Sequence, residues 1–337
     1  MGNKEAGQYY NLIMGDSQDS FKNYFEKEWN RFIDSFPTRH KKAIQLRIGN
    51  RLRPCLVCWG YALSAANIEK INFRDIIDLA IGMELIHKGS LIIDDYIDDD
   101  DARRGKITFH KEYSSNEAIM FLLYLLGKAV GQLGKYEDLE CISRLICSMS
   151  EGALQELSLT HDDLFQSVKI DDIVKGETVT LIRDSLLYGY KVNRDDISEI
   201  SQVLESVAGK CAYNFQLLND LEPFSGMDQN IEYKKNHNFD LEKNRKNMVI
   251  ARLYQICTED EKDRIMARST DGKSFRTIYD LIVKYEIRDG VIRDVENAKA
   301  EIDEELLSLS SLINNVECLH DFLYFIHETI DLCYLRI

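Results

Sequence analysis

The chain has 337 residues, of which 45% are hydrophobic, so it can bury one large core or two ordinary ones. Its net charge of −15 argues against nucleic acid and anionic lipid as partners, because an acidic surface repels both. Only 3 prolines and 18 glycines interrupt the chain. This scarcity favours long helices, since a proline inside a helix costs about 3 kcal/mol.

The apolar residues recur mainly with helical spacing along the whole chain. We predict helices at residues 54–65, 76–93, 116–133, 137–159, 170–190, 195–221, 248–257, 260–266, 274–285, 291–312 and 316–334. No repeat, low-complexity linker or shift in composition marks a domain boundary. The expected fold is therefore all-α, with residues 1–337 forming a single domain.

Neither a targeting signal nor a membrane span is recognisable. Residues 1–18 are polar and lack the apolar core of a signal peptide. The most apolar window, residues 118–126, is far shorter than the roughly 20 residues that cross a bilayer. Cys333 lies one position too early for C-terminal prenylation, and the N-terminus lacks the hydroxyl residue of a myristoylation signal. We expect a cytoplasmic protein without a transmembrane segment.

The 8 cysteines agree with a reducing compartment, because most lie among apolar neighbours as reduced core residues do. Cys55 and Cys58 form a C-x-x-C motif. A zinc or redox site would need more than this single pair. The motif is therefore interpreted as structural.

One predicted helix runs directly into a cluster of acidic residues. Asp94 and Asp98 are four positions apart, which places them on one helix face about 6 Å apart. Like charges at this spacing destabilise a helix unless a cation lies between them. Carboxylate oxygens suit Mg²⁺, which takes its remaining ligands from water and substrate phosphates. The pair thus indicates a site where Mg²⁺ holds a diphosphate and stabilises its departure.

A solvated acidic loop is the alternative interpretation, because six of the eight residues at 94–101 are Asp. The flanking residues weigh against it. A mostly apolar helix containing His87 precedes the acids, and Arg103-Arg104-Gly105 follows them. Carboxylates for metal and arginines for phosphate oxygens on one short segment favour a diphosphate site.

These flanks carry a family resemblance. The segment from His87 to Asp98, with Arg103-Arg104-Gly105 after it, resembles the first aspartate-rich region of trans-isoprenyl diphosphate synthases, H-x-x-S-L-x-x-D-D-x-x-D followed by R-R-G. Further segments are similar to G-K-R-x-R-P, K-T, F-Q-x-x-D-D and the basic stretch after it: residues 49–54, Thr178, residues 215–220, Lys234-Lys235 and residues 240–245. The resemblance covers about residues 45–255.

The resemblance implies a class I isoprenoid synthase fold, a bundle of long helices around a central cavity. It also implies an enzyme, commonly a homodimer, that condenses an allylic prenyl diphosphate with isopentenyl diphosphate and uses several Mg²⁺ ions. Its metal ligands would be Asp94, Asp95, Asp98, Asn219 and Asp220, with Asp94, Asp98 and Asp220 catalytic. The allylic diphosphate would be held by Arg103, Thr178, Gln216 and Lys235. Isopentenyl diphosphate would be held by Asn50, Arg53, His87 and Arg104.

Several positions depart from the family pattern. Asn219 and Pro223 replace two acids of the second aspartate-rich motif, with Glu222 and Asp228 as possible substitutes. Asn50 replaces a lysine of the site for isopentenyl diphosphate. Glu177 replaces the lysine of K-T, which reverses a charge near the allylic phosphates.

These departures leave three functions open. Chain elongation is the first. Cyclisation, or prenyl transfer to another acceptor on the same fold, is the second, because the site for isopentenyl diphosphate is weakened. A partner subunit of low activity is the third. Gly89 and Ser90 are small residues just before the acids, which resembles the family members that make geranylgeranyl or longer products. Phe121 and Tyr124 would form a deeper floor or belong to the ordinary core.

Overall fold

The computed structural model describes residues 6–45, 50–103, 105–194, 199–224, 245–266, 273–313 and 315–334. Its regular structure is almost entirely helical, which confirms the all-α prediction. The α-helices are α1 (Gln8–Met14), α2 (Phe21–Ile33), α3 (Thr38–Gln45), α4 (Leu52–Ser64), α5 (Ile77–Ile97), α6 (Phe109–Glu112), α7 (Ser115–Leu133), α8 (Leu139–Leu157), α9 (Ser167–Val174), α10 (Thr180–Lys191), α11 (Glu199–Leu221), α12 (Met248–Ile256), α13 (Glu259–Met266), α14 (Lys273–Lys284), α15 (Ile287–Ser308) and α16 (Val316–Tyr334). Two short strands, β1 (Ala102–Arg103) and β2 (Lys106–Ile107), form an antiparallel hairpin.

The predicted helices agree with the structure at most positions and differ at two that matter for the site. The helix predicted at 76–93 extends to Ile97, so it includes the first two acids. The helix predicted at 170–190 is divided by a π-helical turn, Lys175–Val179. Helices α1, α2 and α3 were not predicted.

The chain forms two compact units. The first comprises Met1–Leu145, Leu181–Glu205 and Leu306–Phe325, and the second comprises Ile146–Thr180, Ser206–Glu305 and Ile326–Ile337. The single-domain organisation inferred from the sequence stays a prediction.

In the first unit, α5 packs most extensively against α7 and also contacts α2 and α4. Glycines permit a second close helix contact, between α4 and α10. A Cβ atom on Gly60 would lie 2.0 Å from the carbonyl oxygen of Leu186, and one on Gly189 would lie 2.0 Å from that of Val57. Side chains at either glycine would therefore separate these helices.

In the second unit, α8 and the π-helical turn touch through their backbones. A Cβ atom on Gly176 would lie 2.9 Å from the Cα of Gly152, so no larger residue fits without movement. Phe165 stacks on Tyr254 of α12 with ring centroids 4.2 Å apart. The backbone contact at Gly176 positions the turn that carries Glu177 and Thr178.

The cysteines are all free thiols. Cys55 and Cys58 lie inside α4 with essentially no exposure, and burial raises the pKa of the Cys55 thiol to about 12. Such a thiol is inert, which fits the structural interpretation of the C-x-x-C motif. Among the described helices, none is both long and apolar enough to cross a bilayer.

Candidate active site

The acidic segment begins inside α5 and continues beyond its end. Asp98 follows the last helical residue, and its N–H donates a 2.8 Å hydrogen bond to the carbonyl oxygen of Asp94. The chain then turns at Asp99, whose φ of 50° lies in the left-handed region that Asp tolerates. Asp94 and Asp98 are half-buried, whereas Asp95 is fully buried. The pair predicted to bind metal is thus the partly accessible pair.

Asp95 is occupied by an arginine from the hairpin. Arg103 donates a hydrogen bond from Nε to Oδ1 of Asp95. Burial opposes the charge of Arg103, but attraction to Asp95 and Asp94 outweighs it, and the net effect raises the pKa of the guanidinium. About a third of the Arg103 side chain is exposed, at 34%. A fixed cation beside the acids, with part of its surface open, is suited to binding a phosphate.

The outer acids of the segment are held in a separate arrangement. Lys111 of α6 binds Asp99 at 2.8 Å and Asp101 at 3.2 Å. Thr108 donates from its N–H to the carbonyl oxygen of Asp101 at 3.0 Å and from its hydroxyl to that of Asp100. Asp99 and Asp101 have 79% and 89% of their side chains exposed. The solvated-loop interpretation therefore describes these two residues, and not the buried or half-buried acids before them.

The donor set at the end of α5 fits Mg²⁺. Among the described residues, no three His, Cys, Asp or Glu side chains form a complete ligand set. Mg²⁺ bound to phosphates needs only one or two carboxylates, since water and phosphate oxygens complete its shell. Oδ2 of Asp95 is buried and has no hydrogen-bond donor in the described part of the chain. A divalent cation at this place would balance the negative charge of Asp94, Asp98 and the Oδ2 atom of Asp95.

The residues predicted for isopentenyl diphosphate lie in the same unit. Asn50 is exposed at the start of α4, and Arg53 and His87 are half-buried on α4 and α5. The hydroxyl of Ser90 donates to the carbonyl oxygen of His87 at 3.0 Å. Arg104, predicted for the same substrate, lies outside the described residues.

A buried ion cluster beside these residues was not predicted. Arg51 is 4% exposed, has a φ of 54°, and donates from Nη1 to Oε1 of Glu84 at 2.6 Å. Its Nε donates to Glu26 of α2, also at 2.6 Å. Lys88 lies 3.2 Å from the same oxygen of Glu84. This cluster joins α2, the start of α4 and α5, so it sets the positions of Asn50, Arg53 and His87. The sequence signal was a Glu and a Lys one turn apart within an apolar helix.

In the second unit, three predicted residues form one hydrogen-bonded chain. The hydroxyl of Thr178 donates to Oε1 of Gln216 at 3.2 Å, and Nε2 of Gln216 donates to Oδ1 of Asp220 at 2.7 Å. Oδ2 of Asp220 accepts the backbone N–H of Met248 at 2.8 Å, so Asp220 also caps α12. Asp220 is 7% exposed and Asn219 is half-buried. Lys235 and Asp228 lie outside the described residues.

A second cluster that was not predicted lies next to the hydrogen-bonded residues Thr178, Gln216 and Asp220. Lys246 binds Glu156 of α8 at 2.9 Å and also binds Glu177 of the π-helical turn. Burial, opposed by Lys246 and assisted by Glu156, raises the pKa of Glu177 to about 8. Burial also disfavours the charge of Glu156, but Lys246 outweighs it and lowers that pKa. Glu177, which stands where the resembled pattern has a lysine, is therefore paired with Lys246.

Comparisons with known proteins bear on the family and the fold of the chain. A family model described as Polyprenyl synthetase matches residues 39–282. A short chain isoprenyl diphosphate synthase from Methanocaldococcus jannaschii is 26% identical over 262 residues, which cover 75% of each chain.

Two solved structures share the fold. Heptaprenyl diphosphate synthase from Staphylococcus aureus superposes with a TM-score of 0.75 at 22% identity, covering 94% of this chain and 98% of that one. A polyprenyl synthase from Caulobacter crescentus, complexed with calcium and isoprenyl diphosphate, also has a TM-score of 0.75, at 17% identity, covering 96% of this chain and 98% of that one.

Proposed function

Since the chain belongs to the polyprenyl synthetase family, we propose that it transfers the prenyl group of an allylic diphosphate to isopentenyl diphosphate in a Mg²⁺-dependent reaction. The observation that carries this proposal is the arrangement at the end of α5. There, the half-buried Asp94 and Asp98 flank a buried Asp95 that is paired with Arg103. Membership of the family confirms the prediction of a prenyltransferase; the metal and both substrates are part of the proposal.

Each of the two units contributes its own candidate metal ligands. Asp94 and Asp98 supply carboxylate oxygens, and Asn219 and Asp220 supply further oxygens. When bound, Mg²⁺ would provide the positive charge that stabilises the departing diphosphate. Asp220 accepts a hydrogen bond from Gln216 at Oδ1 and one from the N–H of Met248 at Oδ2, and these two bonds orient its carboxylate. The calcium in the Caulobacter crescentus structure supports divalent-metal binding.

The other predicted residues bind and orient the two substrates. Arg103, Thr178, Gln216 and Lys235 hold the allylic diphosphate, and Asn50, Arg53, His87 and Arg104 hold isopentenyl diphosphate. The C1–O bond of the allylic substrate breaks and its electron pair leaves with the diphosphate. The alkene of isopentenyl diphosphate then attacks C1, a carbon–carbon bond forms, and the lost proton passes to the leaving diphosphate. Holding both reactants in line supplies much of the acceleration.

The product length is proposed to be geranylgeranyl or similar, because Gly89 and Ser90 are small. Gly89 nevertheless offers little open space, since a Cβ there would lie 2.9 Å from Cδ1 of Leu122 on α7. Ser90 is half-buried and is the position at which size would act on the growing chain. The related proteins are described as short-chain and heptaprenyl synthases, so family membership alone leaves the length open.

One departure from the family favours a second candidate function. Asn50, which is exposed, carries no charge where the family has a lysine for isopentenyl diphosphate. A weaker site for that substrate would suit cyclisation of the allylic substrate or transfer to another acceptor. A low-activity subunit that needs a homologue is the remaining alternative.

Homodimer formation and a cytoplasmic location are also proposed, the latter because the cysteines are free thiols.

The direct test is Mg²⁺-dependent release of diphosphate from an allylic substrate by the purified chain. Asp94→Ala and Asp98→Ala are expected to lower the rate by about 10²- to 10³-fold, the usual effect of removing a group that stabilises developing charge. Asp101→Ala is the matched control, because it removes an acid that is exposed and bound to Lys111. Near-normal rates for Asp94→Ala would defeat the assignment.

A further inference from the structure

Glu177 is the most unfavourable departure from the family pattern, because it places an acid where a diphosphate-binding lysine is expected. Its side chain is only 20% exposed and accepts a hydrogen bond from Nζ of Lys246. Lys246 is 69 residues away in sequence and does not fall on a lysine of the family pattern. The positive charge lost at position 177 is therefore supplied from another segment of the same unit.

Lys246 is held from three sides. Its Nζ lies 2.9 Å from Oε2 of Glu156, and its backbone N–H donates to Oε1 of the same carboxylate at 3.0 Å. The Nζ also binds Glu177, and only 13% of the Lys246 side chain is exposed. The two carboxyl groups meet because Gly152 of α8 allows close approach. A Cβ there would lie 3.0 Å from Cγ of Glu177.

This bridge connects the two segments that carry predicted substrate and metal residues. On one side is the π-helical turn Lys175–Val179, which includes Thr178 and is closed by a 2.9 Å hydrogen bond from the Thr180 hydroxyl to the carbonyl oxygen of Lys175. On the other side, Asn247 follows directly and donates from Nδ2 to the carbonyl oxygen of Asp220 at 3.2 Å. Lys246 thus lies between the turn of Thr178 and the cap formed by Asp220.

We infer that Lys246 is a positioning residue for the allylic diphosphate. Its ammonium group fixes the π-helical turn so that Thr178 keeps its place beside Gln216. It also binds the Glu177 carboxyl group and balances its charge when that group ionises. This role rests on the proposed function, since it concerns the same diphosphate. The positive charge near position 177 thus comes from Lys246, whereas the family has a lysine at position 177 itself.

Lys175 provides the matched control. It lies at the start of the same turn, but its side chain is 65% exposed and pairs with Asp172 on the surface at 3.0 Å. Lys175→Met and Lys246→Met each remove one positive charge next to the π-helical turn. Only the second is expected to disturb the turn, because an exposed pair contributes little.

The first measurement is hydrogen exchange of residues 175–180 in the metal-free, substrate-free full chain. Lys246→Met should speed exchange of these amides about tenfold, the usual consequence of losing a charge-assisted hydrogen bond. Lys175→Met should leave it unchanged. Equal exchange in wild type and Lys246→Met would overturn the inference. Should Lys246→Met not fold, Glu177→Ala removes the same bridge from the other side, with the same expected and contradictory results.

The second measurement separates positioning from a general loss of structure. Lys246→Met should raise KM for the allylic diphosphate about tenfold and change kcat less than about threefold. Lys246→Arg keeps the positive charge between Glu156 and Glu177 and should keep KM within about threefold of wild type. A fall in kcat at unchanged KM, or the same rise in KM for Lys246→Arg as for Lys246→Met, would overturn the role. Wild type without any diphosphate release would defeat the proposed function, and hydrogen exchange would still decide on Lys246.

Discussion

Arg103 donates a hydrogen bond from Nε to Oδ1 of Asp95. This contact distinguishes Asp95 from the other acids of the aspartate-rich segment. Asp95 is fully buried and serves to hold the arginine, whereas its neighbours Asp94 and Asp98 stay partly accessible. The charge of a middle carboxylate is thus used to fix a cation next to the pair that we propose binds metal.

Replacing this arginine by lysine should impair the proposed reaction although the charge is kept. Lysine lacks the planar fork that can bind a carboxylate and a phosphate together. Arg103→Lys is expected to lower kcat/KM for the allylic substrate by about 10- to 100-fold, the value of a hydrogen bond to a charged group. Lys106→Arg, on the paired strand, is the control and should have no effect. Equal kcat/KM in Arg103→Lys and wild type would show that the fork is not used.

The buried cluster around Arg51 should contribute strongly to stability. Arg51→Met leaves Glu84, whose side chain is 2% exposed, with Lys88 as its remaining described cation. Breaking a buried ion pair from one side is costly, so the free energy of unfolding should fall by about 3 kcal/mol. Arg31→Met, which removes an exposed arginine of α2 paired with Glu28, should change it by less than about 1 kcal/mol. Chemical denaturation measures both, and similar losses would contradict the cluster's importance.

Glu177 should impose a pH dependence on stability. Its pKa is raised from 4.5 to about 8 in the folded chain, first by burial. The folded state then holds this proton more tightly than the unfolded state, so the contribution is complete below pH 4.5 and is lost as pH rises through about 8. Between these values wild type should lose stability relative to Glu177→Gln, which cannot ionise. Parallel curves of unfolding free energy against pH for the two proteins would refute this.

Product length should respond to the residue at position 90. Ser90→Phe places a bulky side chain just before the acids, on the half-buried side of α5, and should shorten the main product by one or more isoprene units. Ser90→Ala is the control and should not change it. Chromatography of the dephosphorylated products distinguishes the two. An unchanged product from Ser90→Phe would place the growing chain elsewhere.

Much of the site could be predicted because its motifs are local. The spacing of the acids and the arginines led to the family resemblance over about residues 45–255, which the match at 39–282 confirms. The helices that carry these residues followed from apolar periodicity. Helix α2 was missed although Phe21, Phe25, Trp29 and Ile33 bury one face at intervals of four, because most of the residues between them are polar.

The unpredicted features of the candidate site depend on contacts between distant segments. The π-helical turn lies where Gly176 meets Gly152, and Lys246 reaches a Glu 90 residues earlier in the chain. Arg51 joins acids 25 residues before it and 33 residues after it. Spacing within a single helix can indicate a buried charge, as Glu84 and Lys88 do, but it does not show which distant residue pairs with it. In the sequence, Glu177 reverses a charge without a visible partner. In the fold, Lys246 binds it.

The central claim is prenyl transfer to isopentenyl diphosphate at the end of α5. The most direct measurement incubates the purified chain with Mg²⁺, an allylic diphosphate and isotopically labelled isopentenyl diphosphate, and identifies the products by mass spectrometry. We expect longer linear diphosphates that contain the label, and none from Asp94→Ala. Unlabelled hydrocarbon or alcohol formed from the allylic substrate alone would contradict elongation and favour cyclisation.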